Sequence, residues 1–188
     1  MRIEVWTDVV CPYCYVAKHE LAKALAGFEH AEAVEVVWKS LQLEDDASSE
    51  GVDATDFLVA KYGISVEDVI TENEQLAVRA AELGLDYNWG DSLITNSLDA
   101  HRLVKLAETQ GLADEANERF MRAYFTDGEL LSDRDTLLRL GTEVGLDADR
   151  MTEVLDGVEF TEQVHTDMQQ AAAYEIEGVP FFLFEGKW

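Results

Sequence analysis

Strand-type and helix-type periodicity are kept apart along this chain, and that separation restricts its architecture more than any other feature. Residues 2 to 7, Arg-Ile-Glu-Val-Trp-Thr, alternate with period two and then meet Asp8-Val9-Val10, which closes a first strand. From Pro12 to about Gly27 the pattern turns helical, with Tyr15, Ala22 and Leu25 available for an apolar stripe and Gly27 as a stop. Proline suits the first turn because the N–H it lacks would be unpaired there. Residues 34 to 39, Val-Glu-Val-Val-Trp-Lys, are β-branched and aromatic and predict a second strand.

The middle of the chain reads differently. A polar loop runs from Ser40 to about Asp53, after which nearly everything is helix-periodic. Segments at about 54 to 62, 65 to 83, 93 to 110, 113 to 125, 133 to 144, 147 to 156 and 158 to 174 are punctuated by glycines at 63, 84, 111, 128, 145 and 157. Ser65 and either Ser132 or Asp133 stand where N-caps are needed. No internal repeat is present, and the glycine spacing is too uneven for a solenoid. Strand chemistry returns only at Glu177 to Phe184, as an apolar run after a Gly-Val-Pro turn. The expected fold is α/β, with 1-40 and 175-188 as two halves of one unit and 41-174 as an all-helical insertion. A chain of 188 residues can bury such a core without disulfide staples.

Charge narrows the partners. Thirty-nine Asp and Glu against 14 Lys and Arg give a net charge of -25. Nucleic acid binding requires clustered cations that are absent here, so no nucleic-acid partner is expected. The acids run from Glu4 to Glu185, interleaved with apolar residues at helical spacing, as on solvated helix faces. Such a surface repels itself in dilute buffer, and salt removes most of that cost, so the composition reads as a halophile's, with a merely acidic mesophilic protein as the alternative. The start already alternates like a strand and no run of 18 apolar residues occurs. The expectation is a cytoplasmic protein without a membrane partner.

Cys11 and Cys14 are the only cysteines, and they lie in Asp8-Val9-Val10-Cys11-Pro12-Tyr13-Cys14-Tyr15 at a strand-to-helix junction. A helix N-terminus stabilises an anion, so Cys11 is expected to attack as an exposed thiolate, with Cys14, one turn in, as the shielded resolving thiol. Asp8 and the acidic surface oppose this, but screening weakens distant charges while helix-end interactions act locally. A structural zinc needs four ligands, and His19, His30, His101 and His165 complete no recognised spacing with the pair. Two buried structural thiols are the remaining alternative. The pair itself would be the redox group, with no further cofactor and no metal.

Four blocks in order, TDVVCPYCY, AHRLVKLAE at 100 to 108, RAYFTDGELLSDRDTLLRL at 122 to 140 and EGVPFFLFEGKW at 177 to 188, resemble the DsbA-like thioredoxin-fold family, and within it the FrnE-like cytosolic branch. The resemblance implies a thioredoxin-like fold interrupted by helices. It implies that Pro180 adopts a cis peptide facing the cysteines, with Val179 offering its backbone to substrate and Pro12 and Tyr13 also contacting substrate and tuning the potential. Asn96 and His101 would be possible cleft-lining positions, His101 otherwise a structural histidine, while Trp6, Tyr15 and Trp38 belong to the core. Some FrnE-like members carry further cysteines, which this chain lacks, and the family continues past Gly-Lys-Trp with a hairpin strand and a C-terminal helix that are expected to be missing here. The implied function is dithiol-disulfide exchange with protein or small-molecule thiols through a Cys11 mixed disulfide, with an unknown redox partner. The alternatives are an isomerase or transferase resembling 2-hydroxychromene-2-carboxylate isomerase and the kappa-class glutathione transferases, whose members generally carry a serine where Cys11 stands, and a redox-regulated binding or chaperone module.

Overall fold

The structure, a computed structural model, describes residues 1–90 and 92–187. Trp188, the last residue of the fourth block, lies outside the described residues. The chain opens with strand β1 (Arg2–Thr7), helix α1 (Pro12–Ala26) and strand β2 (Glu35–Ser40), and the last described strand, β5, is Phe181–Phe184. These three strands form one sheet in the order β2-β1-β5. β1 pairs in parallel with β2, Ile3 opposite Val36, and antiparallel with β5, Val5 opposite Phe182. Parallel neighbours require a crossover, which α1 supplies. Alternation along β1 sends Ile3 and Val5 to one face against Trp38 and Leu21, and Trp6 to the other against Leu183 and Ala171.

Between β2 and β5 run strand β3 (Val52–Asp53), helices α2 (Ala54–Tyr62) and α3 (Val66–Glu82), strand β4 (Leu93–Ile94), and helices α4 (Leu98–Glu108), α5 (Ala113–Phe125), α6 (Arg134–Val144), α7 (Ala148–Asp156) and α8 (Thr161–Ala173). The arrangement is a thioredoxin-like fold carrying a helical insertion. No helix among the described residues is long and apolar enough to cross a membrane. Ser65 caps α3 in a full capping box with Asp68. Of the two candidates at the start of α6, Asp133 is the cap, accepting from the Thr136 N–H at 2.8 Å. Ser132 instead donates to the Ser49 carbonyl.

Two expected helices are shorter than their periodicity suggested. Leu93 and Ile94 leave the 93 to 110 helix and pair antiparallel with Asp53 and Val52, so the helical stretch contains a small two-stranded sheet. The reason is local: the Asn96 side chain accepts the Leu98 N–H at 2.9 Å, starting α4 only there. The last helix begins at Thr161 rather than 158 because Phe160 sits at φ 66, which a helix interior does not accept.

Helices and sheet are tied together by a buried charge cluster. Asp167 on α8 accepts from Lys39 Nζ at 2.9 Å and from the Ser40 N–H at 3.0 Å, and lies 2.6 Å from Lys105 Nζ on α4. Its backbone carbonyl accepts the Trp6 indole N–H at 3.0 Å. Buried charges persist only when paired in this way. The largest apolar cluster joins Cys11, Cys14 and Tyr15 to Leu103 and Val104 of α4 and Phe120 and Phe125 of α5, so the cysteine segment is anchored in the helical core.

Candidate active site

The site is built from the turn after β1. Asp8 is fully buried, and its carboxylate accepts the Leu43 N–H at 2.8 Å and the Val10 N–H at 3.4 Å, with His101 Nε2 at 3.1 Å. Its backbone carbonyl accepts the Cys11 N–H at 3.1 Å. Those bonds aim the chain so that Cys11 becomes the N-cap of α1, in an extended conformation with Pro12 following. The Cys11 carbonyl accepts the N–H groups of Cys14 and Tyr15, while its side chain makes no capping bond and is left for chemistry.

Cys11 Sγ lies 3.6 Å from the Val179 carbonyl oxygen, to which a thiol can donate. The Val179–Pro180 peptide is cis. Both cysteines are free thiols. They differ in environment. Burial pushes the Cys14 thiol well above its ordinary range, and hydrogen bonding to Cys11 pushes it the same way, while the Thr7 hydroxyl and the Asp8 backbone oppose. Cys14 is thereby held as a thiol against the sulfur of Cys11.

Cys11 forms part of the floor of a cleft of about 430 Å³, together with Pro12 and Val179. Apolar walls come from Phe57 and Leu58 of α2, Leu76 of α3, and Ile64 and Trp89. Tyr13 and Tyr62 stand at its lip, 46% and 59% exposed. Two carboxylates, Glu44 and Glu72, also line it. A second groove, of about 510 Å³, lies between α1 and β2 along Lys18, Leu21 and Trp38. Neither cysteine lines it, so size does not identify the reactive cleft here; the thiol does.

The structure therefore brings Cys11, Pro12, Tyr13 and Val179 into one cleft, with Cys14 behind Cys11 and Pro180 joined through the cis bond. It corrects the expected exposure of Cys11, which is 2% exposed, as Cys14 is, because the Val179 carbonyl and the cleft walls close over it. Asn96 and His101 do not line this cleft. His101 is 1% exposed and faces Asp8, and Asn96 is bonded to Gln42, Leu98 and the Asp45 carbonyl, bordering a different hollow near Ser132. Sequence reading missed Glu44, Glu72 and Trp89, and the role of Asp8 as the partner of His101, because these contacts span 30 residues or more and leave no local spacing. Among the described residues, no three His, Cys, Asp or Glu side chains gather as a metal-ligand group.

A parallel-antiparallel sheet with a dithiol at the start of α1, beside a cis-proline that leads into β5, defines a protein of the thioredoxin fold. The chain belongs to the DSBA-like thioredoxin domain family, which matches residues 2–188. It is similar to the crystal structure of the probable DsbA oxidoreductase SCO1869 from Streptomyces coelicolor, at 35% identity and a TM-score of 0.92, over 97% of this chain and 80% of that one. At 18% identity and a TM-score of 0.69 it shares its fold with the cytosolic disulfide reductase DsbM from Pseudomonas aeruginosa, over 100% of this chain and 87% of that one. A 2-hydroxychromene-2-carboxylate isomerase has the same fold, at 16% identity and a TM-score of 0.73, over 100% and 88%.

Proposed function

We propose that this protein is a cytoplasmic dithiol-disulfide oxidoreductase of the FrnE-like type, with Cys11 as nucleophile, Cys14 as resolving thiol and no other redox group. The observation that carries the reading is the asymmetry of the pair: Cys11 opens into the cleft, while Cys14 is kept as a buried thiol against it. In the reducing direction the Cys11 thiolate attacks one sulfur of a substrate disulfide. The substrate S–S bond breaks, a mixed disulfide forms on Cys11, and the leaving thiolate takes up a proton. Cys14 then gives up its proton and attacks Cys11 Sγ, releasing the second substrate thiol and leaving a Cys11–Cys14 disulfide. Two electrons pass from the dithiol to the substrate, and the reverse sequence oxidises a dithiol.

Val179 supports substrate positioning as well. Its carbonyl is beside Cys11, and its N–H has no partner among the described residues, so both backbone groups are available to an extended segment bearing the target sulfur. Pro12, Tyr13 and Pro180 shape the same wall. The isomerase likeness is one of fold alone, and two thiols set for exchange favour the oxidoreductase reading over it. The test is to incubate wild type, Cys11→Ser and Cys14→Ser with a neutral disulfide, bis(2-hydroxyethyl) disulfide, and follow adducts by intact mass. A stable mixed disulfide on Cys11 in Cys14→Ser, and no turnover in Cys11→Ser, is expected; turnover that survives Cys11→Ser rules the proposal out.

A further inference from the structure

The cleft lined by Cys11 has an uneven charge. Among the described residues that line it there is no Lys, Arg or His, whereas Glu44 and Glu72 are both present. The two carboxylates are not equivalent. Glu44 is neutralised from outside the cleft by Lys61, whose Nζ lies 2.6 Å from Oε1. Glu72, on the exposed face of α3, makes no ion pair among the described residues. Its field reaches the lip of the site: after burial itself, Glu72 is the main influence raising the Tyr13 hydroxyl above its ordinary range, with Arg79, which is paired with Glu20, opposing more weakly. Apolar walls on the cleft side do little to screen that field, while water on the exposed side and added salt weaken it.

We infer that Glu72, with Glu44 held in reserve by Lys61, makes this cleft selective for disulfides that carry positive charge and no carboxylate, and disfavours anionic ones such as oxidised glutathione. The inference rests on the proposed exchange at Cys11 and adds to it which disulfides enter. The chemistry of the step is unchanged, since the disulfide itself is the oxidant and leaves as two thiols. What differs is the concentration of the charged reactant beside Cys11.

The test uses reduced protein and three symmetrical disulfides: cystamine (cationic), bis(2-hydroxyethyl) disulfide (neutral) and oxidised glutathione (anionic). Each rate is divided by that of the same disulfide with free dithiothreitol, which removes intrinsic reactivity. The wild type is expected to favour cystamine over oxidised glutathione by about tenfold or more, narrowing as salt is added. Glu72→Gln should lower that ratio about threefold, and Lys61→Met, by freeing the Glu44 carboxylate, should raise it by a similar factor. Glu162→Gln on α8, remote from the cleft, makes the same change in net charge as Glu72→Gln and should leave the ratio where it was. Oxidised glutathione reacting as well as cystamine, or Glu72→Gln moving the ratio no more than Glu162→Gln, overturns the inference while the exchange reading stands. Failure of the neutral disulfide to form a Cys11 adduct in Cys14→Ser overturns the exchange reading and this inference with it.

Discussion

Asp8 accounts for more of the site's geometry than its position in the sequence suggested. Read locally it is a negative charge three residues from Cys11; in the fold its carboxylate is committed to His101, Leu43 and Val10 and holds the turn that presents Cys11. Removing either partner of a buried pair leaves the other without compensation. Asp8→Asn and His101→Leu should each lower the unfolding free energy by about 2–4 kcal/mol, and the double variant should cost less than the sum, as equilibrium denaturation of the four proteins would measure. His19 has a readable charge state. Its hydrogen bond to Glu118 raises it above the usual imidazole value although burial opposes, and Glu118, which burial alone would raise, is held low by His19 and Lys18. A raised folded value means that protonation favours the folded state. The pair's contribution is therefore full between about pH 4.5, the ordinary value of the Glu118 carboxyl, and about pH 6.5, that of the His19 imidazole, and is lost as pH rises through His19's folded value. Wild type should lose stability over that window and His19→Gln should not, which denaturation midpoints between about pH 5 and 9 would reveal.

Elements were legible wherever periodicity alone decides them. β1, α1, β2 and most of the helices stand within a few residues of their expected positions, and the caps at Ser65 and Asp133 are as their residue types required. The β3-β4 pairing was not legible, because two-residue strands carry no pattern and a pair of helices separates Val52 from Ile94 along the chain. The same limit hid the Asp167 cluster, which draws its lysines from β2 and α4. Asp167→Asn leaves Lys39 and Lys105 without their carboxylate in a buried setting and should destabilise by about 3 kcal/mol in chemical denaturation. At the α6-α7 crossing, a Cβ on Gly141 would stand 2.2 Å from Met151 Sδ, and Met151 is fully buried. Gly141→Ala should therefore cost about 1–2 kcal/mol through overpacking, in spite of alanine's better helix propensity, and a lowered thermal midpoint would show it.

At the scale of the whole molecule the net charge of -25 predominates. Many cations are already paired, as in the Arg119, Arg139 and Glu143 cluster between α5 and α6, so the surplus of acid faces water. We propose a halophilic setting, for which the expected outcome is a thermal midpoint that falls as sodium chloride is lowered from about 2 M to about 0.1 M, because the Debye length lengthens and self-repulsion returns. A flat midpoint would favour an acidic mesophilic protein. The amino-acid sequence by itself determined the order of strand and helix, the placing of the dithiol at a helix start and the acidic surface, since each depends on neighbours a few residues apart. Only the tertiary structure decided that Cys11 is covered by Val179, that His101 turns to Asp8 and away from the cleft, and that Glu44 and Glu72 share a wall with the thiol. Those contacts join segments from opposite ends of the chain or from different helices, and packing alone brings them within reach.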